Sequence, residues 1–449
     1  MISPRHLVNW IVVVCYIQYM FTPVGLFNIP ILDSIIPQVD DFLILVLFFL
    51  IAVSRIMRGN YSIPRNHFNW FVTLLIILYL VSSFINQVPL TAVLLSFKSY
   101  FIYVIFFYCI TQLHYSSGQI RRLLRLVFFC FIAQLPIIAI QFLVAISNGT
   151  LSDDTGFGTF PGANNLSYSV IFPLLFVTYS YFVQGQKKYK WYFWLLALVL
   201  VLPVGEYAIA FYAFCLFLLF AKTFIKSKKA FMRTVFVAST MLLCISIFSA
   251  FKGSKSSTNR SLLTTINPLF LYSWLSQTQN QVHSGSQRNL YFPLTYFNLE
   301  KYSKSPWIGF GPGMYASNTA FRLMPEPNNL VYDAFHQIKL GMDPDVDSEI
   351  IPIWGEFGYV GIIVFIGFLA YSFLFFYNEH KKTQDLQQKA FTFVSTAGTL
   401  FLLVGFYVNH MWEIQTIFGT LMIFYGLSSL RRTELRKQSP TTTEPLTNV

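Results

Sequence analysis

Long apolar runs constrain this chain more than any other feature of its sequence. Twelve segments of roughly 20 mostly apolar residues follow one another between residues 6 and 430. Such segments cross a bilayer as helices, because a helix satisfies its backbone hydrogen bonds internally. With 55% hydrophobic and 11% charged residues, the chain is too apolar for a soluble domain. The sequence therefore predicts an all-α polytopic membrane protein with about 12 transmembrane helices.

The spacing of the apolar runs divides the chain into four regions. The predicted spans lie near residues 6–26, 35–54, 68–86, 89–113, 123–147, 164–183, 190–205, 207–225, 231–251, 349–377, 389–408 and 411–430. They predict transmembrane helices 1–9 in residues 1–251, a large polar loop in residues 252–348, helices 10–12 in residues 349–430, and a tail, 431–449, whose end after Lys437 is predicted to be disordered.

The distribution of Lys and Arg predicts the orientation in the membrane. One side receives 22 of the 31 Lys and Arg residues and the other 8, while Lys98 stays inside a span. The positive-inside rule therefore places both termini in the cytoplasm and the large loop outside. The net charge of +12 is then mostly a topology signal that suits anionic membrane lipids, and it implies no nucleic acid partner.

Cysteine and histidine spacing indicates neither disulfides nor a metal. All five cysteines, which are Cys15, Cys109, Cys130, Cys215 and Cys244, lie inside predicted spans. His283, His336 and His410 lack the spacing of a zinc site. We therefore predict no metal and no soluble cofactor.

Three carboxylates stand where the chain returns to the membrane. Asp347 and Glu349 precede the tenth span, and Glu356 follows within its first two turns. Carboxylates so close to hydrocarbon have perturbed proton affinities, so one of them is a candidate general base. The structural alternative is that Asp347 caps the helix and Glu349 favours its positive end.

Two cations are candidates for holding a phosphate. Arg288 lies in the large loop, and a guanidinium binds phosphate through two hydrogen bonds; a salt bridge within the loop is the alternative. Lys98 lies about ten residues into the fourth span, where a charge is costly and therefore a functional candidate. It would meet a diphosphate or pair with Glu206.

The polar loop also contains local signals of structure. Ser305 to Tyr315, with the sequence SPWIGFGPGMY, predicts a tight turn. Apolar residues before it have helical spacing, although Pro293 predicts a kink or a restart there.

Three motifs, in this order, resemble those of the O-antigen ligase and Wzy-type polymerase superfamily. GTFPGANNLSYS is similar to the family's turn before a mid-chain span. RNLYFPLTYFNLEKYSKSPWIGFGPGMY is similar to its arginine-led helix and glycine turn, and DSEIIPIWGEFGYVG to its closing entry into a span. The resemblance also covers the number of spans and the single large late loop.

The resemblance implies a fold related to polytopic glycosyltransferases of the GT-C type and an enzyme of the bacterial inner membrane. The implied reaction is an inverting, metal-independent glycosyl transfer in the periplasm, with an undecaprenyl-diphosphate-linked glycan as donor and another as acceptor. Family ligases have a catalytic histidine where this chain has Asp347, which favours a polymerase. A ligase and, less favoured, a transporter are the alternatives.

The resemblance also implies roles for individual residues. Asp347, Arg288, Glu349 and Glu356 are the catalytic candidates, and Arg288 with Lys98 would bind the diphosphate. A second family arginine is absent, because this chain has Glu206 near that position, and Lys98 would be its substitute. Tyr291, Trp307 and Tyr315 would stack on sugar rings, and a chain-length regulator is a possible partner.

Overall fold

Most of the part of the chain that the computed structural model describes is helical. That part comprises residues 10–11, 14, 30–57, 68–113, 115–148, 156–160, 163–203, 208–216, 287–317, 320, 323, 350–405 and 415–438. Its helices are α1 (Pro30–Ile56), α2 (Asn69–Asn86), α3 (Leu90–Thr111), α4 (Ser117–Ile132), α5 (Gln134–Asn148), α6 (Ala163–Thr178), α7 (Lys190–Val201), α8 (Gln287–Tyr302), α9 (Ile350–Lys382), α10 (Leu386–Gly405) and α11 (Gln415–Gln438).

Five helical segments of the described residues are long and apolar enough to cross a membrane. They are Asn69–Asn86, Leu90–Thr111, Ser117–Asn148, Asn164–Val183 and Ile350–Lys382. They confirm the prediction of an all-helical membrane protein. The predicted span at 231–251 lies outside the described residues, so the number twelve stays a prediction.

Local chemistry explains where several helices begin and end. α2 ends at Gln87, whose φ of 53° places it in the left-handed region, and α3 begins directly after Pro89. α4 begins at a capping box, in which the Ser116 side chain accepts from the Gln119 backbone and the Gln119 side chain accepts from Ser116. Gln87 and Pro89 together allow the chain to reverse between α2 and α3 within three residues.

The core is centred on α11, which packs against α3, α6 and α10. A β-carbon on Gly426 would lie 2.5 Å from the Ile110 side chain, so the backbones of α11 and α3 approach closely. Ser395 and Ser428 join α10 to α11 by a hydrogen bond of 2.7 Å. Small residues and interhelical hydrogen bonds drive helix association in lipid, where apolar burial contributes little.

Three boundaries differ from those predicted. α8 continues through Pro293, where a kink or a restart was predicted. The predicted fifth span is divided into α4 and α5, which meet at Ala133. α11 extends to Gln438, beyond its predicted end near residue 430.

α9 contains the irregularity that positions the candidate site. Gly358 interrupts it with φ 64° and ψ −159°, a conformation that is essentially restricted to glycine. The helix packs on α2, α8 and α10, and the hydrogen bonds of its interrupted turn reach Ser82 of α2 and the backbone of residues 306–311.

Candidate functional site at the glycine turn

The interrupted turn of α9 pairs with the predicted glycine turn, Ser305–Tyr315. A break in a helix leaves C=O and N–H groups without their usual partners, and such groups are costly when buried. Here the glycine turn supplies the missing partners in both directions. The four backbone hydrogen bonds run from Phe310 N to Gly355 O (2.9 Å), Gly311 N to Glu356 O (2.9 Å), Tyr359 N to Pro306 O (3.1 Å) and Val360 N to Trp307 O (3.1 Å).

Glycine is required on both sides of this pairing. Gly309 has φ +78°, and a β-carbon there would lie 2.5 Å from the Gly355 oxygen. Gly358 has φ +64°, and its β-carbon would lie 2.3 Å from the Pro306 oxygen. Both contacts are with backbone atoms, which cannot rotate away. The predicted tight turn is therefore present, and its glycines permit the close approach to α9.

Glu356 lies at the centre of the pairing and is completely buried. Its Oε2 accepts hydrogen bonds from the Tyr100 hydroxyl at 2.9 Å and from the Gly313 backbone at 2.7 Å. The Ser317 hydroxyl and the Tyr315 backbone also contact this carboxylate. A general base must reach the hydroxyl that it deprotonates. In this structure Glu356 has no exposed surface and joins α9 to α3 and the glycine turn, and its catalytic role stays a prediction.

α2 holds the glycine turn from the other side. The Ser82 hydroxyl donates to the Ile308 carbonyl at 2.9 Å, and the Asn86 side chain donates to the Gly309 carbonyl at 3.0 Å. The Lys304 ammonium donates to the Ile85 carbonyl at 3.0 Å. The turn is thus tied to two helices that are distant in sequence.

Tyr315 and Trp307, two predicted sugar-stacking residues, have different surroundings. Tyr315 is buried, its ring stacks on Phe310 at a centroid distance of 5.2 Å, and its hydroxyl accepts from Asn298 at 3.1 Å. Burial raises the pKa of the Tyr315 phenol. Tyr315 therefore packs the turn and presents no free ring face. Trp307 is 60% exposed and contacts Tyr359 edge-on, so it retains an open face for a ligand.

Lys98 forms an ion pair with a partner other than those predicted from the sequence. Its ammonium lies 2.5 Å from the Asp41 carboxylate of α1, where pairing with Glu206 or a diphosphate was predicted. The adjacent Asp40 is completely buried and accepts from the Tyr103 hydroxyl at 3.4 Å. Two acids within the predicted span 35–54 were a signal for this cluster, because intramembrane charges are rare and need partners.

Tyr100 was also missed, and it joins α3 to the buried carboxylate beside the glycine turn. It lies two residues from Lys98 on α3 and donates to Glu356. Nothing in the sequence near Tyr100 distinguishes it from the many other tyrosines. Its partner was identifiable only from the packing of α3 against α9.

The remaining predicted residues are described in part or not at all. Arg288 and Tyr291 lie in the first turns of α8, where the structure describes the backbone but not these side chains. Along this helix, Arg288 lies about 15 Å from Asn298, which contacts the glycine turn. Asp347, Glu349 and Glu206 lie outside the described residues.

A narrow apolar cleft adjoins the buried carboxylate. It has a volume of about 30 Å³ and is lined by residues of α2, α3 and α9, which include Leu78, Tyr100 and Phe357. No group of three His, Cys, Asp or Glu side chains that could hold a metal occurs within the described ranges.

Fold and site together define an integral membrane protein of the helical class, in which the glycine turn and α9 are hydrogen-bonded around Glu356 at one end of the helix bundle. No protein-family model matches the chain, and no curated protein matches it significantly.

Proposed function

We propose that the chain is a polysaccharide polymerase with about twelve spans and a GT-C-like fold. In this proposal it joins undecaprenyl-diphosphate-linked repeat units into a long surface polysaccharide on the outer face of the bacterial inner membrane. The resemblance in three motifs is the sequence support. The charge distribution supports an outer location for the large loop.

One observation carries the proposal. The glycine turn and the entry into α9 are two of the segments in which the chain resembles the polymerases, and they are joined by four backbone hydrogen bonds. The two resembling segments, which are distant in sequence, are therefore adjacent in the fold, as residues of one site must be.

The proposed reaction is a displacement at the first sugar of the donor chain. A hydroxyl oxygen of the acceptor repeat unit bonds to the anomeric carbon, and the bond from that carbon to the diphosphate oxygen breaks. Undecaprenyl diphosphate leaves with the electron pair, and the hydroxyl proton passes to a carboxylate. Asp347 or Glu349 takes this proton, because Glu356 is buried between the glycine turn and α9.

Charge on the leaving group is stabilised by Arg288 in this scheme. Lys98 is paired with Asp41, so it contributes only if its ammonium leaves Asp41 and binds the diphosphate instead. Trp307, with its open ring face, stacks on a sugar.

The test is the glycan profile of a deletion strain complemented with variants. Arg288→Ala abolishes the long-chain ladder and leaves lipid-linked single repeats, and Asp347→Asn does the same at normal protein level. Lys301→Ala, which removes an exposed cation from the same helix, is the matched control and retains the ladder.

Two results would overturn parts of the proposal. A full ladder at normal abundance in Arg288→Ala removes the diphosphate-binding role of that residue. Long polymer that stays on undecaprenyl diphosphate in the deletion strain identifies a ligase and not a polymerase.

A further inference from the structure

A polar cavity lies at the end of the helix bundle opposite the glycine turn. It has a volume of about 360 Å³, which is within the range of small-molecule sites. The glycine turn contacts the chain between α2 and α3, whereas this cavity begins at Ser117, beyond the other end of α3. α3 is 22 residues long, so the two sites are about 33 Å apart along it.

The cavity walls contain two cations and one acid. Arg121 of α4 and Lys188 of the short helix Lys187–Tyr189 are the cations, and Asp385 is the acid. Arg121 Nε donates to the Ser117 carbonyl at 3.2 Å, which uses one of the five N–H donors of the guanidinium. The Lys188 ammonium lies 5.0 Å from the centre of the Tyr189 ring.

The acid is engaged by the helix that it precedes. Asp385 Oδ1 accepts from the Gln388 backbone at 2.8 Å, and its carbonyl accepts from the Lys389 backbone at 2.9 Å. Asp385 therefore caps the N-terminus of α10, and its single negative charge leaves the two cations of the wall in excess. Arg121, Lys188 and the positive end of α4, which begins at Ser117, make the cavity favourable for an anion.

Hydroxyl and aromatic groups complete the walls. Ser117 and Ser180 are hydrogen-bond donors, while Phe176 and Tyr189 form an apolar floor. Trp191, at the start of α7, is 73% exposed beside this region, as is typical of side chains at a membrane interface. The combination suits a charged group attached to a less polar body.

We propose that this cavity binds a phosphate group, and that its occupant is the headgroup of an anionic glycerophospholipid. The proposed site is separate from the polymerase site and does not depend on that function. A soluble phosphate compound would offer the same chemistry, so the experiment distinguishes the two sources.

The experiment measures lipid binding by the purified full-length chain in phosphatidylcholine nanodiscs that contain increasing phosphatidylglycerol. Bound lipid is read by native mass spectrometry, and size-exclusion profiles verify folding. Arg121→Gln with Lys188→Gln lowers the affinity about thirtyfold, which corresponds to about 2 kcal/mol, the order expected when charged hydrogen-bond donors to a bound phosphate are lost.

The matched control changes the adjacent cations, Arg122→Gln with Lys187→Gln. They remove the same charge from the same two elements but are not in the cavity wall, so affinity changes less than threefold by expectation. Gln387→Glu is a second test, because it adds a negative charge to the wall at constant size and also weakens binding.

Inorganic phosphate at millimolar concentration is the competing probe. Lack of competition supports the lipid headgroup, whereas displacement of phosphatidylglycerol supports a phosphate site and overturns the lipid as its only occupant. Equal losses in the wall pair and the control pair overturn the proposal, since general surface attraction then explains the binding. Unchanged affinity in the wall pair and in Gln387→Glu also overturns it.

Discussion

Gly358→Ala tests the interlock between the glycine turn and α9, by which we mean their four backbone hydrogen bonds. The new β-carbon would lie 2.3 Å from the Pro306 oxygen and 2.5 Å from the Trp307 carbonyl carbon. These are backbone atoms of the glycine turn, so the turn must move away as a unit. The backbone conformation at Gly358 is also unfavourable for alanine, since φ is +64° there.

The expected loss of stability follows from these two effects. The conformation costs about 1–3 kcal/mol for a residue with a side chain. Displacement of the turn breaks backbone hydrogen bonds between it and α9, and losing two of the four adds about 1–3 kcal/mol. A total of about 2–6 kcal/mol corresponds to a melting temperature lower by roughly 2–6 °C, because an unfolding entropy of about 2.1 cal/mol/K per residue gives about 0.9 kcal/mol/K for 449 residues.

The assay is thermal unfolding in detergent, followed by fluorescence-detected size exclusion, together with the glycan profile of complemented cells. Gly367→Ala is the control, because it lies in the same helix and its β-carbon would meet only Phe71, at 3.6 Å. The control keeps or slightly raises the melting temperature. If both variants unfold at the wild-type temperature, the interlock does not stabilise the protein.

Three further variants test neighbouring contacts. Asp41→Asn and Lys98→Met each lower the free energy of unfolding by about 1–3 kcal/mol, which is less than for a fully buried ion pair because Lys98 is 32% exposed. The double variant recovers part of this loss, since neither charge is then left alone. If the two losses simply add in the double variant, the pairing is contradicted. Tyr100→Phe lowers the free energy of unfolding by about 1–3 kcal/mol because a buried carboxylate loses a donor, while the exposed Tyr377→Phe changes it by less than about 0.5 kcal/mol. Trp307→Ala leaves the melting temperature within about 2 °C but shortens the polymer, and an unchanged ladder would exclude a sugar contact.

The class of the protein could be read from local sequence. Apolar runs of spanning length predicted helices, and the described helices occupy the predicted positions between residues 30 and 201 and again from residue 350. Turn chemistry predicted the glycine turn, and proximity to hydrocarbon identified Glu356 as unusual. These properties depend on neighbouring residues, so a sequence displays them directly.

Partners across the fold were not accessible in this way. Lys98 was predicted to contact a diphosphate or Glu206, yet it pairs with Asp41 of α1. Tyr315 was predicted to stack on sugar, yet its ring packs on Phe310 inside the turn. Each side chain had several chemically reasonable partners, and only helix packing selected among them.

The sequence by itself determined that this is a helical membrane protein, and its turn chemistry predicted the glycine turn within the large polar loop. The tertiary structure decided that this loop completes the hydrogen bonds of a broken helix around Glu356. The physical reason is that hydropathy and turn propensity act over a few residues. The buried N–H and C=O groups at Gly358 instead take whichever partners the packing of distant segments brings within about 3 Å.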